Sequence, residues 1–525
     1  MFIFKKQKLI FVIVIISIAF FACANFVFAQ NFGMDYASTL GLGTQGLKTT
    51  LTKIVKTVLG FLGIIAIIVI LYGGFIWMTS GGRPERVDKA KKILINGAIG
   101  LTIILLSFAI IQFIIFTVTG GKPTAPGDNS NGNGALGAGI IENVYPAPGQ
   151  RDVARNTKIA VTFKESMNPE SFIFDANGNG ILGDYTDTNG NGILDAGDIY
   201  DTIAVDNLGN PNIKIAKRGE LASGPLITEV FVSKTIDNKI FVFKSIELLG
   251  NPTDNTWYSA ELTNNLEKAN NDPAFGALGG FIWSFEIGTF VDLTPPYVKS
   301  ILPSAGGTYA KNVVIQIHFS EAIDPTSIID TNIIVSGNIT APVAGTLYIS
   351  NQYRTVEFLG SACGINSCGD IIYCLPGSEN ITVNILAAAL SGEPPMAMGP
   401  PYNGIVDMVG NSLDGNHNNL AEGPPVDNYS WNFNTTNEIE LTEPTIISIS
   451  PNIGDIGTTL RDPLDVLFSE IMMYSSLRSN NIKIVAPVVD YWITAENQPP
   501  VLPFQTRAFI NHSRFNTATD YTSEV

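Results

Sequence analysis

Two loops in the first half of the chain carry oxygen-bearing residues at the spacing of a calcium-binding loop. The second loop, residues 187–198, matches the calcium-loop template at each ligand position, and Gly192 permits its sharp turn. Its ligands would be the side chains of Asp187, Asn189, Asn191, Asp195 and Asp198 and the backbone carbonyl of Ile193. A hard cation prefers clustered oxygen ligands of this kind, so we expect this loop to bind Ca²⁺ in a structural role.

The first loop begins twelve residues earlier and matches the template less well. It offers the ligands Asp175, Asn177 and Asn179. It ends at Thr186, where the template has an acid, so Asp184 or Asp187 would have to substitute, or the two loops would share ligands. The second loop resembles the calcium repeats of dockerin and thrombospondin-type proteins, and the alternative for each loop is an Asn- and Gly-rich turn. A fainter echo at residues 414–419 lacks the turn glycine, and we interpret it as a loop.

No pattern in the sequence supports catalysis. The chain has no Gly-x-Ser-x-Gly elbow, no phosphate-binding glycine loop and no His-Glu-x-x-His motif. Its paired carboxylates fall inside the calcium templates. We therefore predict no catalytic residues, no cofactor other than Ca²⁺, and a protein that is not an enzyme.

Charge is divided unevenly along the 525 residues, a length that exceeds what one hydrophobic core supports. Residues 1–120 hold 11 Lys and Arg against 3 Asp and Glu, a net of +8, whereas the remainder holds 20 against 44, a net of −24. Nucleic-acid binding needs a basic face, so an acidic remainder argues against it. The same acidity suits a solvated or cation-binding exterior.

The first 29 residues have the pattern of a secretory signal peptide. Lys5, Lys6 and Lys8 form a basic start, an apolar run comes next, and Ala29 precedes the expected cleavage site. Lipidation of Cys23 and a retained membrane anchor are the alternatives.

Two uncharged apolar runs come after the signal peptide, residues 57–78 and 93–118, of 22 and 26 residues. Each is long enough to cross about 30 Å of hydrocarbon as a helix. The connecting loop 79–92 holds five basic residues, and basic loops stay on the cytoplasmic side. We therefore predict a cell-membrane protein in which everything after about residue 120 is extracytoplasmic. Glycines in both runs would permit close packing, either within the hairpin or between copies of the chain.

Residues 30–120 resemble the pilin-like subunits of type IV secretion systems. The resemblance is carried by the signal peptide, a short lead-in, two apolar helices and the stretch 72–92, which begins Tyr-Gly-Gly-Phe-Ile-Trp-Met and ends Lys-Ala-Lys-Lys. It implies a two-helix membrane domain that anchors the C-terminal part of the chain or assembles with other copies. Residues 121–139 have almost no large apolar side chain and indicate a flexible linker.

One pattern then occurs three times, a sign of an array of like modules. Pro146, Pro303 and Pro451 are 157 and 148 residues apart, and each is followed by a β-patterned segment that ends in Phe. A closing Trp-x-Phe recurs at residues 283–285 and 431–433. Alternating apolar residues between turn signals predict tandem antiparallel β-sandwiches, and therefore a mainly β fold behind an α-helical transmembrane hairpin.

The modules resemble the bacterial Ig-like domains of exported and surface-layer proteins. The resemblance is carried by the Pro and Phe-Ser-Glu opening, residues 255–262, the closing Trp-x-Phe and the turn at residues 407–413. We predict domain 1 at 140–292, with the calcium loops 175–198 as an insertion, domain 2 at 293–440, and an incomplete domain 3 at 441–525. The resemblance implies a surface-exposed scaffold and an unknown surface ligand.

Three cysteines, Cys363, Cys368 and Cys374, lie within twelve residues of domain 2. Outside the cytoplasm a local disulfide is expected, with one thiol left over. Three hypotheses for function remain: a membrane-anchored surface protein for adhesion or envelope structure, a secretion-system subunit that assembles through its hairpin, and a surface enzyme whose catalytic domain lies beyond residue 525.

Overall fold

The computed structural model describes residues 134–525 apart from 368, 453, 456–459, 499–504 and 517–518, and, before them, residues 72, 75, 76, 78, 79, 87–89, 91 and 92. The chain divides into two compact units, Met1–Pro123 and Thr124–Val525. The predicted signal peptide and both predicted spans lie outside the described residues, except for residues 72, 75, 76 and 78, which are helical. None of the helices in the described residues has the length and apolar character needed to cross a membrane.

Part of the predicted loop 79–92 is helical. The cytoplasmic side expected for this connecting segment stays a prediction. Residues 87–89, 91 and 92 within it all have helical backbone. The reason lies in composition, because Ala and Lys are good helix formers and no glycine or proline comes after Pro84 in this stretch.

Module 1 is a β-sandwich with a six-stranded sheet, in the order β1-β2-β9-β8-β6-β3, and a three-stranded sheet, β11-β10-β7. Its core lies between the two sheets. The strands are β1 (Ile141–Tyr145), β2 (Lys158–Phe163), β3 (Ile173–Phe174), β4 (Tyr185–Thr186), β5 (Ile199–Tyr200), β6 (Thr202–Ile203), β7 (Ile213–Lys217), β8 (Val230–Lys234), β9 (Ile240–Ser245), β10 (Thr256–Thr263) and β11 (Gly280–Ile287). Short 3-10 helices span Pro169–Ser171 and Gly276–Leu278.

Module 2 repeats this plan. A sheet in the order β12-β14-β17-β16, extended by β18, faces a four-stranded sheet, β13-β22-β19-β15. The strands are β12 (Val298–Leu302), β13 (Thr308–Tyr309), β14 (Ile315–Phe319), β15 (Ile333–Gly337), β16 (Gly345–Ser350), β17 (Thr355–Ile365), β18 (Ile371–Cys374), β19 (Asn380–Ile385), β20 (Leu390–Ser391), β21 (Met396–Ala397) and β22 (Tyr429–Thr435). A 3-10 helix spans Pro325–Ser327, and Cys363 and Cys374 form a disulfide across β17 and β18.

Module 3 has one four-stranded sheet, β23-β24-β27-β26, and a two-stranded sheet, β25-β28. The strands are β23 (Ile446–Ser450), β24 (Leu464–Phe468), β25 (Lys483–Ala486), β26 (Tyr491–Asn497), β27 (Thr506–His512) and β28 (Thr522–Glu524). Among the described residues, no strand takes the place that β22 holds in module 2. The Ig-like sandwiches expected from the repeat are therefore present twice in full and once with a smaller second sheet.

The recurring spacing of the repeat has a packing reason. The indole Nε1 of Trp283 donates a hydrogen bond of 3.1 Å to the carbonyl of Pro146, and Trp431 donates one of 3.1 Å to the carbonyl of Pro303. Both indole rings are buried. Because a buried indole N–H needs an acceptor, the opening turn and the closing strand of each module are tied together.

The modules pack against each other through buried polar contacts. Lys158 of module 1 forms an ion pair of 2.7 Å with Asp324 of module 2, and both side chains are almost completely buried. The Glu357 carboxylate of module 2 accepts hydrogen bonds from the backbone N–H groups of Tyr474 and Ser475 of module 3. Glu142 of module 1 accepts from the N–H of Ser479 of module 3 at 2.9 Å. Each module therefore touches both of the others.

Residues 134–139, which composition placed in the linker, also pack into this block. Leu136 is fully buried, its N–H donates to the Asp490 carboxylate at 3.1 Å, and its carbonyl accepts from the N–H of Tyr491 at 3.3 Å. The low apolar content of residues 121–139 indicated a flexible linker. In residues 134–139, however, the small Gly and Ala side chains permit a close approach to module 3.

Candidate metal site

The second predicted calcium loop, residues 187–198, closes a short hairpin in module 1. The flanking strands β4 and β5 pair Tyr185 with Tyr200 and Thr186 with Ile199. The Asp187 carboxylate accepts the N–H groups of Gly190 at 2.6 Å and Gly192 at 2.7 Å. Gly192 has φ of +76°, the left-handed region that a residue without Cβ adopts readily.

Three of the predicted ligand residues of this loop converge. The side-chain amides of Asn189 and Asn191 both donate to the Asp195 carboxylate, at 3.0 Å and 2.7 Å to Oδ2. Hydrogen bonds from the backbone N–H of Gly197 and from these two amides lower the pKa of Asp195. Asp198 accepts the N–H groups of Thr188 at 2.9 Å and Asp195 at 3.0 Å, and so closes the loop.

The first loop has the same arrangement with different residues at its end. Asp175 accepts the N–H groups of Gly178 at 2.6 Å and Gly180 at 2.8 Å. The amides of Asn177 and Asn179 donate to Asp184 at 2.9 Å and 2.8 Å. Asp184 therefore takes the role of Asp195, whereas the sequence offered it as a substitute for the closing acid missing at Thr186.

The closing acid of the first loop is Asp201, a residue that the sequence did not indicate. Its carboxylate accepts the N–H groups of Ala176 at 3.2 Å and Gly183 at 2.8 Å, as Asp198 does for Thr188 and Asp195. Asp201 is fully buried, and burial raises its pKa. It lies 26 residues after Asp175, beyond the second loop, so the linear template could not find it.

The echo at residues 414–419 shows the same pattern in module 2. Asp414 accepts the N–H groups of Asn418 at 3.1 Å and Asn419 at 2.7 Å. The amides of Asn416 and Asn418 donate to Glu422 at 3.1 Å and 2.7 Å. Asn419 has φ of +67° and takes the conformation of the missing turn glycine, as Asn can.

The second loop also contacts module 2. The N–H of Gly399 donates to the carbonyl of Gly192 at 2.9 Å, and Ile193 and Gly399 form a parallel β-bridge. Lys244 of module 1 donates to the carbonyl of Leu194 at 3.1 Å. Burial lowers the pKa of Lys244 to about 8. The loop is thus held between its own sheet and the neighbouring module.

The donor set of each loop suits Ca²⁺ in type, since it mixes carboxylate, amide and carbonyl oxygens. Within the described part of the chain, no group of three or more His, Cys, Asp or Glu side chains is placed to hold a metal ion. In the second loop the amide oxygens of Asn189 and Asn191 instead accept the N–H groups of Asn191 and Ile193. Rotation of these amides is required before their oxygens can act as ligands, and calcium binding stays a prediction.

Comparison with known proteins identifies two segments. Residues 43–114 match the family model of the type IV secretion system pilin. Residues 292–362 match that of a bacterial Ig-like domain. Both resemblances stated from the sequence are confirmed. Among curated proteins, no relative matches the chain.

Solved structures with similar strand arrangements are distant. The titin domains Z1Z2 in complex with telethonin align over 57% of this chain and 96% of theirs, with 9% identity and a TM-score of 0.14. Domains 1–6 of the surface layer protein SbsC align over 88% of this chain, with 7% identity and a TM-score of 0.18. The alignment spans 62% of the SbsC chain. TM-scores this low carry no argument about function.

Proposed function

We propose that the chain is a membrane-anchored surface protein whose Ig-like modules form a block stiffened by Ca²⁺ for adhesion or envelope structure. The observation that carries the proposal is the shared arrangement of three Asp-x-Asn-x-Asn loops. In each loop two Asn amides converge on one carboxylate. The disulfide between Cys363 and Cys374 supports an oxidising, extracytoplasmic location.

Calcium would act by ordering the three loops, of which the second contacts module 2. The second loop bonds to Gly399 of module 2, so fixing its backbone also fixes this contact. At affinities of about 10⁻⁴ to 10⁻³ M, typical of extracellular modules, about 10 mM Ca²⁺ would stabilise each occupied site by roughly 1.4–2.7 kcal/mol.

Calorimetric titration of the full chain in mild detergent with Ca²⁺, and with Mg²⁺ as control, tests this proposal. We expect saturable calcium binding that Asp187→Ala and Asp175→Ala each reduce by one site. Asp254→Ala is the matched control, since it removes an exposed carboxylate far from the three loops in sequence. Absence of calcium heat, or equal heats in all variants, would refute the calcium part of the proposal.

The pilin match at residues 43–114 favours a second function, a subunit that assembles through its helix hairpin. Light scattering of the full chain in mild detergent separates the two functions. A monomer supports an anchor that carries a surface block, whereas a large, regular oligomer supports the secretion-system subunit.

A further inference from the structure

The three modules differ in whether and how the outer edge of one strand of the larger sheet is covered. Strands β8, β16 and β26 are equivalent, because each pairs with the central strand β9, β17 or β27 of the larger sheet. Each of them has a second edge that points away from that central strand. The groups along this edge decide whether the backbone hydrogen bonds of the strand are satisfied.

In module 1 the edge is covered by the short strand β6. The N–H of Val232 donates to the carbonyl of Asp201 at 3.1 Å, and Thr202 pairs with Phe231. On its other side β6 pairs with β3, and the N–H of Ala204 donates to the carbonyl of Phe172 at 3.0 Å. Strand β6 therefore fills the space between β8 and β3.

In module 3 the edge is covered by the neighbouring modules. The N–H of Tyr491 donates to the carbonyl of Leu136 at 3.3 Å, and that of Ala495 donates to Oδ1 of Asn351 at 2.9 Å. The outer side of β26 thus receives acceptors from both module 1 and module 2.

In module 2 the register directs the N–H of Leu347 outward. The N–H of Phe319 donates to the carbonyl of Arg354 at 2.8 Å, so the backbone groups of Arg354 point toward β14. Along a strand, every second residue points its N–H and C=O to the same side. The N–H and C=O of Phe358 therefore also point toward β14, where Phe358 pairs with Ile315. Leu347 is the partner of Phe358, so its N–H and C=O point away from β17, as those of Val232 do. Within the described residues this N–H has no acceptor.

The space beside Leu347 is a cleft of about 530 Å³. It is lined by all six residues of β16 and by Ile328, Ile329 and Asp330, and residues of modules 1 and 3 also line it. Modules 1 and 2 align on a shared Phe-x-x-x-x-x-Pro motif, residues 163–169 and 319–325. In this alignment Ile329 and Asp330 correspond to the two residues of β3. The cleft therefore occupies the position that β6 fills in module 1, and no described strand of module 2 enters it.

We propose that this cleft is a strand-acceptor site, in which an extended acidic segment of a partner protein pairs with β16. The incoming backbone would accept the N–H of Leu347 and donate to the carbonyl of Ile328, as β6 does with Val232 and Phe172. Strand addition of this kind gains affinity from main-chain hydrogen bonds and specificity from alternate side chains.

The walls of the cleft define the chemistry of the partner. Four cationic side chains line it in a part of the chain whose net charge is −24. They are Lys164, Lys234, Lys239 and Arg478. Three carboxylates, Glu142, Asp237 and Asp330, also line the cleft, so the lining holds one more cation than carboxylate. Glu142 is bonded to Ser479, Asp237 to its own hairpin and Lys164 to the carbonyl of Gly137, whereas Asp330 is exposed. An acidic segment complements this surplus of cations, and a second copy of the acidic module surface is the competing occupant.

Strand β6, which fills the equivalent space in module 1, provides the sequence of a test peptide. Residues 199–204 read Ile-Tyr-Asp-Thr-Ile-Ala, an extended segment with one acid and with Ile203 buried. A fluorescent peptide of this sequence, titrated into the full chain in mild detergent, reports binding by anisotropy. We expect saturable binding, and at least about tenfold weaker binding when lysine replaces the Asp201 equivalent.

Two variants at one position test the backbone pairing. Leu347→Pro removes the outward N–H without removing a hydrogen bond to β17, because proline is tolerated at an edge where the N–H faces outward. Leu347→Ala loses the same side chain but keeps the N–H. We expect Leu347→Pro to weaken peptide binding at least about tenfold more than Leu347→Ala.

Hydrogen exchange locates the bound peptide and keeps the proposal falsifiable. Protection of residues 345–350 on peptide addition supports it. No saturable binding, equal losses in the two Leu347 variants, or protection confined to module 1 would overturn it. Protection of 345–350 that rises with protein concentration alone would assign the cleft to a second copy and overturn the proposed partner.

Discussion

The buried ion pair between Lys158 and Asp324 gives a quantitative test of how modules 1 and 2 are joined. The Nζ of Lys158 lies 2.7 Å from Oδ2 of Asp324 and 3.0 Å from the Tyr402 hydroxyl. The other oxygen of Asp324 accepts the N–H of Thr326 at 2.9 Å and caps a 3-10 helix. We consider the substitution Asp324→Asn, which keeps a capping side chain and removes the charge.

The expected cost is large because the lysine would be left buried without a counter-ion. Removing one partner of such a pair destabilises proteins by about 3–5 kcal/mol. Burial lowers the pKa of Lys158, but the Asp324 carboxylate and the Tyr402 hydroxyl more than offset this and hold it above its usual value. In the wild type, the stabilisation that accompanies this raised lysine pKa is fully present below the unfolded-state pKa of about 10.4. It is lost only as pH rises through the folded-state pKa. In Asp324→Asn the same burial lowers the lysine pKa without the carboxylate to offset it, so the variant regains stability as pH rises through that lowered pKa. The cost should therefore be smaller at about pH 9 than at about pH 6.

Urea unfolding of the full chain in detergent, followed by tryptophan fluorescence, measures this cost. Trp283 and Trp431 report on the two modules that the pair joins, since both indoles are buried. The double variant Lys158→Met with Asp324→Asn should recover at least about 2 kcal/mol relative to the sum of the single variants. A single-variant cost below about 1 kcal/mol, as for an exposed pair, or strictly additive costs would refute the reasoning.

Three further predictions concern single side chains. Asp201→Asn should remove the calcium response of the first loop and leave that of the second, and calorimetry would contradict this if both responses changed alike. Burial lowers the pKa of His318 to about 4, so this side chain should contribute a loss of about 1–2 kcal/mol between pH 7 and pH 5 as the unfolded chain takes up the proton. Glu321 and Asp407, whose carboxyl pKa values burial raises, contribute in the opposite direction, so the loss is measured as the difference between the pH profiles of the wild type and the variant. His318→Phe should flatten this dependence in urea unfolding, and an unchanged pH profile would count against it. Trp431→Phe removes the hydrogen bond to Pro303 and should cost about 1–2 kcal/mol in the same assay, with a smaller cost for Trp257→Phe, at a half-buried indole, as control.

Much of the fold was accessible from the sequence because its signals are local. Alternation in segments such as Ile315–Phe319 and the recurring Trp-x-Phe each depend on neighbours in one strand. The repeat also indicated that Trp283 and Pro146 belong to one module, although the hydrogen bond between them could not be predicted from their spacing. The packing of modules was not accessible, since Lys158 and Asp324 are 166 residues apart and nothing local links them.

The candidate site shows the same limit. The ligand positions 187–198 could be predicted because a linear template contains them, and they fold into one loop. Asp201 was missed because it closes the first loop from beyond the second. The hydrogen-bond pattern at Asp414 was not predicted because the template has glycine at the position where Asn419 adopts the left-handed conformation. At Asp201 a contact in space replaced a position in sequence, and at Asn419 a different residue type took the position of the glycine.

Hydrogen exchange of the full chain with and without Ca²⁺ measures whether calcium orders the three loops and the contact of the second loop with module 2. We expect calcium to slow exchange in residues 175–201 and 414–427, and also at Gly399, whose N–H bonds to the second loop. Unchanged exchange in all three segments at about 10 mM Ca²⁺ would contradict it.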